Sequence, residues 1–218
     1  MKSDLLRKEG DMLYDYIKAH YKETEPIFFS DLELGNRTKS ALTQQLKTLC
    51  DQGLLMKYDK GIYYMPKTTL LHTTVGPNAD MVARYRFISR GDRIEGFYSG
   101  NSFANQLGIT TQVPRIVEIV SNNTNSSDRK VRIGNRFFYV KKPVVHITNE
   151  NIYVLQMLDL LKNLDAYLDY SYAEAKAKFA DYISIHGIRK KDVDHYIRKY
   201  PVSTFKYYYE LELEHVLA

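Results

Sequence analysis

Apolar residues recur at helical spacing through Leu5, Leu6, Met12, Leu13, Tyr16 and Ile17, with Lys and Asp between them. This period predicts a first helix over residues 4–21. Pro26 closes that region, Ser30 has the chemistry to cap a short helix through Leu34, and Gly35 ends it. A third helix is predicted from Asn36 to Gln52, with Gly53 placed for a left-handed C-terminal cap. The run LLMKYDKGIYYM, residues 54–65, then reads as two short strands turning at Asp59-Lys60-Gly61, and Pro66 ends the unit. Three helices followed by a hairpin within residues 1–66 is the element order of a winged helix-turn-helix.

Beyond Pro66 the period changes repeatedly. A helix is predicted to begin near Pro77, and a short one runs from Ser102 to Leu107, ended by Gly108. Arg115–Val120 reads as a strand, residues 122–127 (NNTNSS) as a polar loop, and Val131–Ile133 with Arg136–Val140 as a hairpin turning at Gly134-Asn135. The last segment is helical. Val154, Leu155, Leu158, Leu161, Leu164 and Leu168 keep the 3.6-residue period, and Ser171 with Glu174 forms a capping-box pattern for a helix ended by Gly187. A short helix from Asp192 to Tyr200 is stopped by Pro201. The predicted fold class is α+β: an N-terminal winged helix-turn-helix domain over 1–66, followed by a mixed α/β domain over 67–218, sheet-forming in 67–148 and helical in 149–218.

Charge sharpens this division. The net formal charge of +5 is distributed as 0 over residues 1–66, +7 over 67–148 and −2 over 149–218. A basic middle segment points to phosphate or to an acidic partner. No run approaches the roughly 20 apolar residues that span a bilayer. The N-terminus MKSDLLRKEG has no apolar stretch suited to export, and the single Cys50 forbids an internal disulfide. A cytoplasmic protein without membrane contact is the expectation.

The third helix carries the strongest candidate chemistry. At about 100° per residue, Leu42, Leu46, Leu49 and Cys50 share one face, while Arg37, Ser40, Gln44, Lys47 and Thr48 lie opposite. A recognition helix needs this division, one side packed on its own domain and the other offering donors to bases and phosphates. Arg37 suits a bidentate pair with guanine and Gln44 suits adenine. Thr38 and Lys39, in the first turn, are placed for phosphate contacts. Lys57 and Lys60 lie in or beside the hairpin turn, within reach of a minor groove or backbone. From Gly35 to Lys60 five basic residues face only Asp51 and Asp59, so this surface is positive although the segment is neutral. An amphipathic helix with a merely solvated polar face would show the same periodicity; the hairpin directly after it favours DNA.

Two stretches carry a family resemblance. GIYYMP, Gly61–Pro66, resembles the end of the winged-helix head of AbiEi-type antitoxins. SGNSFANQLGITTQVP, Ser99–Pro114, resembles the signature of the domain that follows it there, and RKVRIGNRFFYVKK, Arg129–Lys142, the hairpin after that. The chain departs from the family pattern at Asn101, Phe103 and Asn105, where smaller residues are usual. The resemblance implies an antitoxin of a type IV toxin–antitoxin system, in a phage-defence (abortive infection) operon. Its head would repress that operon at operator DNA, with inverted repeats expected. Its C-terminal antitoxin domain would counteract a nucleotidyltransferase toxin without a stable complex being implied. Arg115, Arg129, Lys130, Arg132, Arg136, Lys141 and Lys142 then become a candidate surface for the toxin or for nucleic acid; a solvated strand face accounts equally well for cations alternating with Val and Ile.

Catalytic signals are weak. The six histidines are scattered without metal-ligand spacing, and there is no phosphate-binding or dinucleotide-binding glycine loop. Ser99-Gly100-Asn101-Ser102 lacks the flanking glycines of a nucleophile elbow, and Asp192 and Asp194 fall on different sides of a helix. No enzyme, cofactor, metal or catalytic residue is expected. Two alternatives stay open: a winged-helix regulator with an effector-binding domain and no toxin partner, and an RNA-binding module built on the basic segment.

Overall fold

The computed structural model describes residues 12–32, 38–70, 73–124 and 128–217. The predicted first turns of the N-terminal helix, the end of the second helix and its Gly35 stop, and Arg37 lie outside the described residues. The chain forms two compact units that divide between Val82 and Ala83.

The first unit begins with helix α1, residues 12–20, and strand β1, Ile27–Phe28. A 3-10 turn follows at Phe29–Asp31. Ser30 was expected to cap this turn but sits inside it, because Ile27 and Phe28 stay extended to pair with Tyr63 and Ile62. Its hydroxyl donates instead to Asp31 at 3.1 Å. Helix α2, Lys39–Asp51, starts at the cap Thr38, whose Oγ1 accepts from the Ala41 N–H at 3.2 Å. Gly53 then takes φ +72°, as its position after the helix predicts. Strands β2, Met56–Asp59, and β3, Ile62–Tyr64, turn at Lys60-Gly61, and β3 lies between β1 and β2 in an antiparallel sheet. Leu13, Ile17, Ile27, Leu32, Leu42, Leu46, Leu49, Leu55 and Met65 make one core.

The unit does not stop at Pro66. Strands β4, Lys67–Thr68, and β5, Thr74–Val75, pair with each other, and the chain returns so that Gly76 lies against the ring of Tyr64. A Cβ at Gly76 would sit 2.5 Å from that ring, so a larger residue there would have to push the Tyr64 ring aside. This packing moves the division from Pro66 into helix α3, Ala79–Phe87.

The second unit is built on a four-stranded sheet. After the small β6–β7 hairpin (Ser89–Arg90, Arg93–Ile94) come β8, Gly96–Ser99, and helix α4, Gly100–Leu107, ended by Gly108 at φ +78°. Strands β9, Val117–Ser121, β10, Arg129–Ile133, and β11, Arg136–Lys141, complete the order β10-β11-β9-β8, with β11 parallel to β9 and the other pairs antiparallel. Gly96 is where a side chain cannot fit: a Cβ there would lie 2.2 Å from the Phe87 carbonyl oxygen and 2.4 Å from that of Val120.

Helix α5, Ile152–Leu161, is buried at nine of its ten residues and packs on β8, α4 and the helices that follow. Such a helix has almost no solvent side, and its polar residues Gln156 and Asp159 find partners inside the protein, Tyr98 and Ser99. Helix α6, Tyr172–His186, opens on the predicted capping box of Ser171 and Glu174 and closes on Gly187 at φ +60°. Helices α7, Lys190–Tyr196, and α8, Val202–Glu210, follow, the second starting at Pro201, and a 3-10 turn at Leu213–His215 comes after them. The whole is a mixed α+β protein, and among the described residues no helix is long and apolar enough to cross a membrane.

Candidate nucleic-acid interface

Two surfaces, one in each unit, carry the residues expected to meet nucleic acid.

In the first unit, α2 divides as its sequence predicts. Leu42, Leu46 and Leu49 are buried in the core, joined by Gln45, a polar residue that periodicity alone did not assign to the inside. Thr38, Lys39, Ser40, Gln44 and Lys47 are exposed. At about 100° per residue, Lys39, Ser40, Thr43, Gln44 and Lys47 fall within one sector of roughly 140°. Two hydroxyls on that helix are turned inward: Thr43 donates to the Lys39 carbonyl at 2.8 Å and Thr48 to that of Gln44 at 3.1 Å. Thr38 spends an oxygen lone pair on capping, which leaves its proton free to donate. Lys57 is exposed on β2, across from Tyr63, and Lys60 is exposed at the turn, its backbone N–H bonded to Asp59 at 2.7 Å. Cys50 is half-buried, and burial pushes its thiol up, away from a reactive thiolate.

In the second unit the seven expected cations do not form one patch. Lys130 pairs with Tyr139 and Arg132 with Phe137, so these four side chains share one face of the β10–β11 pair. Arg129 and Arg136 belong to the other face, with buried Ile133, Phe138 and Val140. The period of two separates them, a distinction legible in the sequence but not drawn from it. Arg136 is half-buried, its guanidinium 5.9 Å from the Phe138 ring centre. Arg115 is exposed ahead of β9, outside the sheet, and Lys142 is exposed just past β11. Lys141 is removed from the set of free cations. It is half-buried and hydrogen-bonded to Glu118; burial alone would lower its pKa, but the bond and charge of Glu118 hold it above its ordinary value. Glu118, Phe137 and Tyr139 belong to this surface as well, and their charge pattern does not mark them in the sequence.

The stretch Ser99–Pro114 is held from within by two aspartates far along the chain. Buried Ser99 donates to Asp159 at 2.6 Å, and Asp159 also pairs with Lys162. Asp169 accepts from the Thr110 hydroxyl at 2.5 Å, the Thr111 N–H at 2.9 Å and the Gln112 amide at 3.2 Å. The Thr110 hydroxyl, followed by the Thr111 N–H, holds the Asp169 carboxyl below its usual range.

A family model spanning residues 13–181, described as a family of unknown function, matches this chain over most of its length. The chain belongs to the DUF6088 family. No curated protein matches the sequence. Both basic surfaces of this DUF6088 protein, α2 with its hairpin and the β10–β11 face, lie inside the matched span, whereas α7 and α8 lie beyond it.

Proposed function

We propose that this DUF6088 protein is a DNA-binding repressor that serves as the antitoxin of a toxin–antitoxin operon of AbiEi type. On this reading the first unit is a winged helix-turn-helix, with α2 as recognition helix and β2–β3 as wing. The observation that carries it is the order β1-β3-β2 behind a helix whose outer sector presents Lys39, Ser40, Gln44 and Lys47 while its inner side fills the core. A helix so divided can enter a major groove, and a hairpin directly after it brings Lys57 and Lys60 to the flanking backbone. Arg37, outside the described residues, joins this set from the sequence. The antitoxin half of the proposal rests on the resemblance of Ser99–Pro114 and Arg129–Lys142, with a nucleotidyltransferase as the cytoplasmic toxin. No catalytic constellation is proposed.

The test is duplex binding by the full chain, using the DNA upstream of its own gene beside an unrelated duplex. Gln44→Ala should cost about 1–3 kcal/mol on the upstream site alone if it reads a base. Lys47→Ala should weaken both duplexes and lower the salt slope by about 0.9. Normal binding by both variants refutes the recognition-helix assignment. A Lys39→Ala, Gln44→Ala, Lys47→Ala triple variant, blind to the operator, should still rescue cells expressing the neighbouring toxin; the lack of a neighbouring nucleotidyltransferase gene would reduce the proposal to a plain repressor.

A further inference from the structure

One face of the four-stranded sheet changes character across its width. Ser99, Glu118, Tyr139 and Lys130 stand in one row on that face, each the register partner of the next. Ser99 is buried under α5, where it meets Asp159. Glu118 is half-buried and matched in charge by Lys141. Tyr139 is half-buried and Lys130 is exposed. The neighbouring row adds Phe137, 42% exposed, directly opposite Arg132. The helical layer therefore covers the β8–β9 half of this face and leaves the β10–β11 half open.

The open half is not overflow from the core. On β11 the alternate positions Phe138 and Val140 are buried, so the strand already supplies its apolar residues on the other side. Phe137 and Tyr139 face outward with two cations between and beside them. The Lys130 ammonium lies 4.1 Å from the Phe137 ring centre, and the Arg132 guanidinium donates to the Gly134 carbonyl at 3.0 Å, which holds it at the hairpin end. Two acidic groups on or beside these strands have partners: Glu118 is matched in charge by Lys141, and Asp128 accepts from the Lys142 backbone N–H at 3.3 Å.

We propose that this face, Lys130, Arg132, Phe137 and Tyr139, binds single-stranded nucleic acid. Aromatic rings on an open sheet give unpaired bases a stacking platform, and flanking cations meet the phosphates. Duplex bases are already stacked on each other, so the rings would find no free base face on an intact duplex. On binding, Lys130 leaves the face of Phe137 to a base and turns to the adjacent phosphate. This surface and α2 share no residue, so the two activities are separable by mutation.

The test uses the full chain and labelled oligouridylate and oligothymidylate of about 12 nucleotides, within the length one such platform engages. Wild type should bind at least one of the two. Phe137→Ala should weaken that binding about ten-fold or more, while Phe137→Tyr, which keeps a ring, should bind nearly as wild type. A Lys130→Gln, Arg132→Gln pair should weaken it and reduce the salt slope by about 1.4, at roughly 0.7 per phosphate on a single strand. All variants should hold the upstream duplex as wild type does, with unchanged circular dichroism. If Phe137→Ala fails to fold, the exposed lysine–arginine pair and ultraviolet cross-linking of the peptide containing Phe137 carry the test. No binding of either oligonucleotide by wild type overturns the proposal. So does unaltered binding by both sets of variants, or capture of polyglutamate that Phe137→Ala leaves untouched.

Discussion

Gly100→Ala is predicted to destabilise the second unit through a contact that has no local origin. Gly100 opens α4 at φ +53°, a left-handed conformation that costs a residue with a Cβ about 1–2 kcal/mol. The added methyl would also lie 2.4 Å from Oε1 of Glu118 and 2.6 Å from its carboxyl carbon. A flexible carboxylate can move, but this one is half-buried and hydrogen-bonded to Lys141. Displacing it leaves a partly buried ammonium with a poorer partner, which adds about 1–3 kcal/mol. The expected total is about 3 kcal/mol, read as a shift in urea midpoint at constant slope. Glu118→Ala supplies the control. With the carboxylate gone, the Gly100 substitution retains only its backbone cost, so the cycle should show a coupling of about 1–2 kcal/mol. A loss below about 1 kcal/mol, or an equal loss in both backgrounds, would refute the reasoning.

Two further outcomes follow from neighbouring contacts. Asp169, its carboxyl held low by Thr110, Thr111 and Gln112, contributes stability that is complete above the ordinary carboxylate range and is lost as pH falls through its folded-state pKa. Melting curves of wild type and Asp169→Ala should therefore differ most at neutral pH and converge on acidification; a gap that widens in acid contradicts this. Gly96→Ala meets two backbone carbonyl oxygens rather than a movable side chain, so the second unit should fail to reach its folded dichroism, and a variant melting within a few degrees of wild type would show that the backbone yields there.

Local chemistry made much of the fold legible. The Ser171–Glu174 box, the Gly187 and Gly108 stops, and the Gly134-Asn135 turn are signals confined to a few residues, and each appears where the sequence predicts an element end. The outer sector of α2 was legible for the same reason, since one helical period fixes it. Long-range partners were not. Ser99 meets Asp159 and Thr110 meets Asp169 across about sixty residues, and no spacing rule links them. The extension of the first unit past Pro66 is hidden because β4 and β5 are only two residues each and exposed, with Gly76 marking the contact only once Tyr64 is beside it. On β10 charge alone groups Lys130 with Arg129, whereas alternation places them on opposite faces.

Helix α5 has a consequence for how such chains diverge. The tyrosine hydroxyl of Tyr200 donates to the Leu155 carbonyl at 3.1 Å, and Ser203 donates to that of Lys162 at 2.8 Å, so the last helices close over it. Those helices lie outside residues 13–181, the span shared with the family. A helix buried at every residue but Tyr153 has almost no position where a change in volume goes unanswered. Drift in α5 would then have to be matched by drift in helices that the family match does not cover. Tails exchanged between family members would meet the wrong surface, even where the matched spans are alike.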